Sequence, residues 1–148
     1  MSPAEDKFEE SPEAILGDGV DMNTFSQILE MDEPGDHEFS SSIVFGFFDQ
    51  AVDTFKDIED KLDSEDLPAL SSLGHFLKGS SATLGLVKVR DGCEKIQRFG
   101  KMENEDGSPL NDAEVCLKRI REAFESVKVD YEEVETALRN YYERLEKE

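Results

Sequence analysis

The chain has 148 residues, with 36 acidic against 16 basic side chains and a formal net charge of −20, so one domain with a real core is expected and nucleic acid and anionic lipid are disfavoured as partners. Its two cysteines, Cys93 and Cys116, lack the Cys-x-x-Cys spacing of a zinc or redox site and read as reduced thiols of an intracellular protein. No apolar run is long enough to span a membrane, and the N-terminus carries no signal-peptide pattern.

Residues 1–20 are polar and acidic and are interrupted by Pro3, Pro12, Gly17 and Gly19. They read as a mobile tail ahead of a domain at 21–148. A first short helix is predicted from Asp21, a good N-cap, through Phe25, Ile28, Leu29 and Met31, with a break at Asp32-Glu33-Pro34-Gly35-Asp36. A second helix over about 40–62 follows from Ile43, Phe47, Ala51, Phe55, Ile58 and Leu62 at spacings of three and four, with Ser40 or Ser41 as its cap. His37, in an acidic loop, reads as solvent-exposed; one histidine with loose carboxylates is weak support for a metal. The third helix is capped by Asp66, tolerates Pro68 in its first turn, and is loosened or ended by Gly85.

A fourth helix carries Val89, Cys93, Ile96 and Gly100 on one face, and Arg90, Glu94, Gln97 and Lys101 on an adjacent polar flank. After a turn at 103–107, Ser108-Pro109 reads as a cap and first helical residue for a long fifth helix. Leu110, Ala113, Leu117, Ile120, Phe124, Val127, Tyr131, Val134, Leu138, Tyr141 and Leu145 give it a sustained three-four repeat. That repeat is compatible with a coiled coil, but the other helices need such a partner, and one long helix within a bundle is the preferred reading. No strand-like alternation competes. The expected fold is all-α: an antiparallel four-helix bundle with an additional short N-terminal helix and a long C-terminal helix.

The third helix holds the chemistry. A helix advances about 100° per residue, which gathers Leu70, Leu73, Leu77 and Leu84 between roughly 160° and 220° from His75. The imidazole therefore points away from the leucine stripe. Lys78, Gly79 and Ala82 fall within about 60° of it on the same wheel. Phe76, about 100° away, sits at the border of core and surface. A neutral imidazole nitrogen is a nucleophile near pH 7 and accepts a phosphoryl group. Lys78 offers a cation to phosphoryl oxygens. A glycine inside a helix costs about 1 kcal/mol relative to alanine, and close approach by a partner is a reason to carry Gly79 there. Ser80 reads as a packing or backbone-bonded hydroxyl, and Cys93 as core.

The run H-F-L-K-G-S-S-A-T-L-G-L over residues 75–86 resembles the signature of histidine-containing phosphotransfer domains, specifically the fungal phosphorelay intermediates. Phe47-Phe48-Asp49-Gln50-Ala51 with Thr54-Phe55, Cys93-Glu94-Lys95-Ile96-Gln97 with Gly100-Lys101, and Ile28-Leu29-Glu30-Met31-Asp32 are similar to other helices of that family, so the likeness covers roughly residues 22–103. The resemblance implies a monomer in which His75 accepts a phosphoryl group from a receiver-domain aspartate of a hybrid histidine kinase and passes it to the aspartate of a response regulator. It implies osmotic and oxidative stress signalling, and a cytoplasmic and nuclear location. It further implies that Lys78 offsets phosphate charge, that Gly79 keeps the approach open, and that Gln97 is a polar neighbour of the histidine. Lys101 stands where relatives often carry arginine, and an ammonium does not make a guanidinium's bidentate phosphate contact. Ile28, Met31, Phe39, Ile43 and Phe76 match the family's apolar receiver-docking patch; core packing is the competing reading, evenly weighted for Ile28 and Ile43. No cofactor of its own is implied, since magnesium comes on the partner's receiver domain.

Three rival functions find less support in the letters. An EF-hand reading fails, because taking Gly107 or Gly92 as the loop glycine puts Met102 or Val87 at the first ligand position. An autonomous kinase lacks a Walker A loop, a glycine-rich nucleotide signature and room for an ATP-binding domain. A non-catalytic helical adaptor or coiled-coil module would not require His75, Lys78 and Gly79 together.

Overall fold

The computed structural model describes residues 16–146. Among them are five helices: α1 Met22–Leu29, α2 Glu38–Asp63, α3 Leu67–Leu84, α4 Val87–Gly100 and α5 Ala113–Glu146. The ends follow local chemistry. Asp21 caps α1, its carboxylate accepting from the Asn23 N–H at 3.0 Å. Asp66 caps α3 through the Ala69 N–H at 3.1 Å, with Pro68 in the first turn. Gly85 ends α3 in the left-handed region at φ 77°, where glycine carries no Cβ penalty.

Two helix starts differ from the sequence reading. α2 begins at Glu38 and is not capped by Ser40 or Ser41. Asp36 accepts from the Glu38 N–H at 2.9 Å and Asp32 from the Ser40 N–H at 2.8 Å, so carboxylates of the preceding loop satisfy the open donors. α5 begins at Ala113, not after Ser108-Pro109. Asp106 captures Ser108, accepting from its N–H at 2.9 Å and its hydroxyl at 2.6 Å, and Glu103 pairs with Pro109 in an isolated bridge. Asp112 then supplies the cap, accepting from Glu114 and Val115 N–H groups.

Residues 16–20, expected to belong to a mobile tail, are packed chain. Leu16 and Val20 are buried in the core; Val20 bridges Leu86, and the Asp21 N–H donates to Gly85 O at 2.7 Å. A boundary at residue 20 therefore falls inside packed chain, while the rest of the proposed tail lies outside the described residues.

α2, α3, α4 and α5 form an antiparallel four-helix bundle, and α1 packs on α2 and α3. Side-chain pairs fix the register. Phe48 meets Tyr131 and Phe55 meets Phe124 edge-on, so α2 and α5 run in opposite directions. Gly92 faces Val127 and Arg119 lies over Phe99, so α4 and α5 do as well. The apolar repeat of α5 is consumed by this packing: Leu117, Ile120, Phe124, Val127, Tyr131, Val134 and Leu138 are buried. That settles the seam as intramolecular, as preferred over the coiled coil. Ala113, at the start of the repeat, is exposed instead, and Cys116 is buried one turn on.

Candidate functional site

α3 is anchored by its leucines. Leu70, Leu77 and Leu84 are fully buried and Leu73 is half-buried. His75 is exposed on the opposite face and makes no hydrogen bond or ion pair among the described residues. The imidazole is available, as the helical wheel requires.

The face is set by close contact with α4. A Cβ on Gly74 would lie 2.8 Å from the Gln97 backbone nitrogen and 2.9 Å from Cys93 O; one on Gly100 would lie 2.6 Å from the Ser71 nitrogen. The two backbones therefore touch along Ser71 and Gly74, and Gln97 is drawn against the turn that bears His75. The Gln97 Oε1 is buried with no hydrogen-bond partner. A buried amide oxygen of this kind marks an unfinished polar contact.

Lys78 lies one turn along α3. Its Nζ is 4.0 Å from Glu94 Oε1, and Glu94 Oε2 is 3.5 Å from Arg98 Nε. The pairs are solvent-accessible and loose, so Lys78 is tethered weakly and can be recruited by a stronger anion. Lys101, just past the end of α4, is exposed and has no ion pair among the described residues. A Cβ on Gly79 would meet nothing within 4 Å. The same holds for Gly46 on α2, which with Ser42, Ile43, Gln50, Ser80 and Thr83 lines a shallow groove between α2 and α3. The Ser80 hydroxyl donates to Phe76 O at 3.3 Å, the backbone-bonded role read from the sequence.

The expected apolar patch is partly present. Met31, Phe39 and Phe76 are 65%, 41% and 47% exposed. Ile43 is half-buried. Ile28 is only 8% exposed, a correction: the inward face of α1 places it in the core, beneath the surface. His37 is half-exposed, not free in solvent, with Nδ1 3.9 Å from Asp32 Oδ2. Cys93 is core, and burial pushes its thiol up to about 12.

Sequence reasoning missed Gly74 and the capping of α2 by Asp32, whose carboxylate accepts from Ser40, the residue read from sequence as a cap itself. The signal for Gly74 was readable, since Ser71 and Gly74 on one helix and Gly100 on the next are small residues at close-packing spacing. For Asp32 only the loop's acidity hinted at a cap.

Residues 43–148 match the family described as the Hpt domain. The chain is 44% identical over 126 residues to Multistep phosphorelay regulator 1 of Schizosaccharomyces pombe, covering 84% of this chain and 43% of that protein. It is 43% identical over 109 residues to Phosphorelay intermediate protein YPD1 of Candida albicans, covering 74% and 57%. The chain thus spans about half the length of the curated relatives it matches. Its fold is similar to Ypd1 in the co-crystal structure of that Saccharomyces cerevisiae histidine phosphotransfer signaling protein with the receiver domain of its downstream response regulator Ssk1 (TM-score 0.75, 31% identity, 87% of this chain and 97% of that one).

Proposed function

This chain belongs to the Hpt domain family, and on that footing we propose that it is a phosphohistidine carrier between receiver domains, with His75 as the carrier residue. The observation that carries the reading is the unpartnered, exposed His75 standing opposite a buried leucine stripe. The lone pair of a ring nitrogen attacks the phosphorus of a receiver's aspartyl phosphate. A phosphorus–nitrogen bond forms, the bond from phosphorus to the donor carboxylate oxygen breaks, and the aspartate leaves as carboxylate. Transfer to a second receiver is the reverse step. Phosphoryl transfer of this kind needs positioning and charge neutralisation more than acid–base machinery.

Lys78 swings from Glu94 toward the phosphoryl oxygens, Lys101 adds a second cation, and the Gln97 amide completes its hydrogen bonding against the modified ring. Gly79 lets the receiver backbone approach. Met31, Phe39 and Phe76 supply the apolar contact, with Ile43 at its edge and Ile28 supporting from below. The receiver brings the aspartate and the magnesium ion. The partners are the receiver domains of a hybrid histidine kinase and of response regulators; the Ssk1 receiver seated on the structurally similar Ypd1 supports that class. The carrier does not use ATP. It acts as a single chain, since the apolar face of α5 is already covered, and it works in the cytoplasm and nucleus. No helix among the described residues is long and apolar enough to cross a membrane.

The test mixes the protein with a phosphorylated receiver domain and maps the modified residue. An acid-labile phosphate on His75, absent from His75→Gln, is the expected result. Labelling that persists in His75→Gln would defeat the assignment.

A further inference from the structure

Met31 and Phe39, two exposed members of the apolar patch, are not on one element. Met31 lies in the turn after α1, and Phe39 is in the first turn of α2, with a Pro-Gly loop between them. The Met31 N–H donates to Ile28 O at 3.1 Å and Phe39 belongs to α2, so each is held by its own helix, but neither helix sets one residue against the other. What joins them is the next residue along in each case. The carboxylate of Asp32 accepts from the Ser40 N–H at 2.8 Å with Oδ1 and from the Ser40 hydroxyl at 2.5 Å with Oδ2. Ser40 Oγ in turn accepts from the Tyr142 hydroxyl on α5 at 2.7 Å. The proton order is consistent: Tyr142 donates to Ser40, and Ser40 donates to Asp32.

The cluster is a built one. Ser40 is fully buried, Tyr142 is buried, and the Asp32 side chain is 6% exposed. Burying a carboxylate is unfavourable unless it is fully hydrogen-bonded, and here its negative end also lies at the N-terminus of α2, where the helix dipole favours it. Met31 and Phe39, by contrast, are left outward with little packing of their own. An exposed apolar pair contributes most to docking when its geometry is set before the partner arrives.

We propose that Asp32, with Ser40 and Tyr142, is a positioning clamp for receiver docking: it locks residue 31 against residue 39 so that Met31 and Phe39 present one preformed apolar surface, anchored to the last helix. This rests on the phosphocarrier reading above. The clamp touches neither His75 nor the phosphoryl group, so it acts on receiver affinity and not on the reactivity of the imidazole.

The experiment compares wild type, Asp32→Ala, Asp32→Asn and Tyr142→Phe in two assays. One is phosphotransfer from a phosphorylated receiver over a range of receiver concentrations. The other is labelling of His75 by phosphoramidate, a small donor that needs no docking surface. Asp32→Ala is expected to raise the receiver KM about tenfold while kcat at saturation and phosphoramidate labelling hold. Asp32→Asn keeps an acceptor for the Ser40 N–H and a donor for its hydroxyl, and should recover most of the loss. Tyr142→Phe, which removes one hydroxyl, should raise KM about threefold and carries the test if Asp32→Ala does not fold. A wild-type KM in the folded variants, or a fall in kcat or in phosphoramidate labelling at unchanged KM, would overturn the clamp. If wild-type protein takes no label on His75 from either donor, the carrier reading itself fails, and the clamp goes with it.

Discussion

The Cβ that Gly74 lacks would stand 2.8 Å from the backbone nitrogen of Gln97. That single absence lets α3 and α4 meet backbone to backbone next to the histidine. It brings the Gln97 backbone against Gly74, the residue before His75, although the two lie on different helices.

Gly74→Ala should therefore destabilise the protein by about 1–3 kcal/mol, even though alanine is the better helix former. The clashing atoms are backbone and cannot rotate away. Thermal denaturation checks this; a melting temperature at or above wild type would contradict the packing argument.

Gly79 and Gly46 should behave in the opposite way. Each sits within a helix with nothing within 4 Å of a Cβ, so alanine at either position should stabilise the free protein by about 1 kcal/mol. A long side chain at Gly79, as in Gly79→Gln, should still fold but lower receiver affinity about tenfold by blocking approach. Denaturation and binding measured on the same samples would show the two effects with opposite sign.

Lys78 Nζ lies 4.0 Å from Glu94 Oε1, so on the carrier reading proposed above Glu94 would compete with phosphate for it. Glu94→Gln should lengthen the lifetime of the phosphohistidine by up to about fivefold, and Lys78→Ala should shorten it by a similar factor. Both effects should shrink in high salt, because the groups are partly exposed. Decay of labelled protein, followed at two ionic strengths, tests this; equal lifetimes in all three proteins would remove the charge role of Lys78.

The Cys93 thiol, raised to about 12 by burial, should resist alkylation near pH 8 until the protein is unfolded. It also ties stability to pH. Below about pH 8.5 both states hold the proton and the thiol adds no pH dependence. Above that the unfolded chain releases its proton while the folded chain does not until about 12, so stability falls as pH rises through this window. Burial pushes the phenols of Tyr131 and Tyr142 up as well, in the same direction. Denaturant midpoints for wild type and Cys93→Ala between pH 8 and 10.5 should diverge, the variant declining less steeply.

The sequence by itself determined the five helices, the outward His75, the inward leucines and the intramolecular role of α5, because helical periodicity and neighbouring caps are local properties of the chain. It misplaced the start of α5, where Asp106 outcompeted the helix for Ser108 and left Asp112 to cap it. It left Ile28 evenly poised between core and surface, since the position on the α1 wheel does not say which side α3 will cover. The closeness of Gly74 to Gln97 and the bond from Tyr142 to Ser40, 102 residues apart, were decided only in three dimensions. Contacts of that kind depend on how packed helices slide and rotate against one another, and no spacing along a single strand of sequence encodes that.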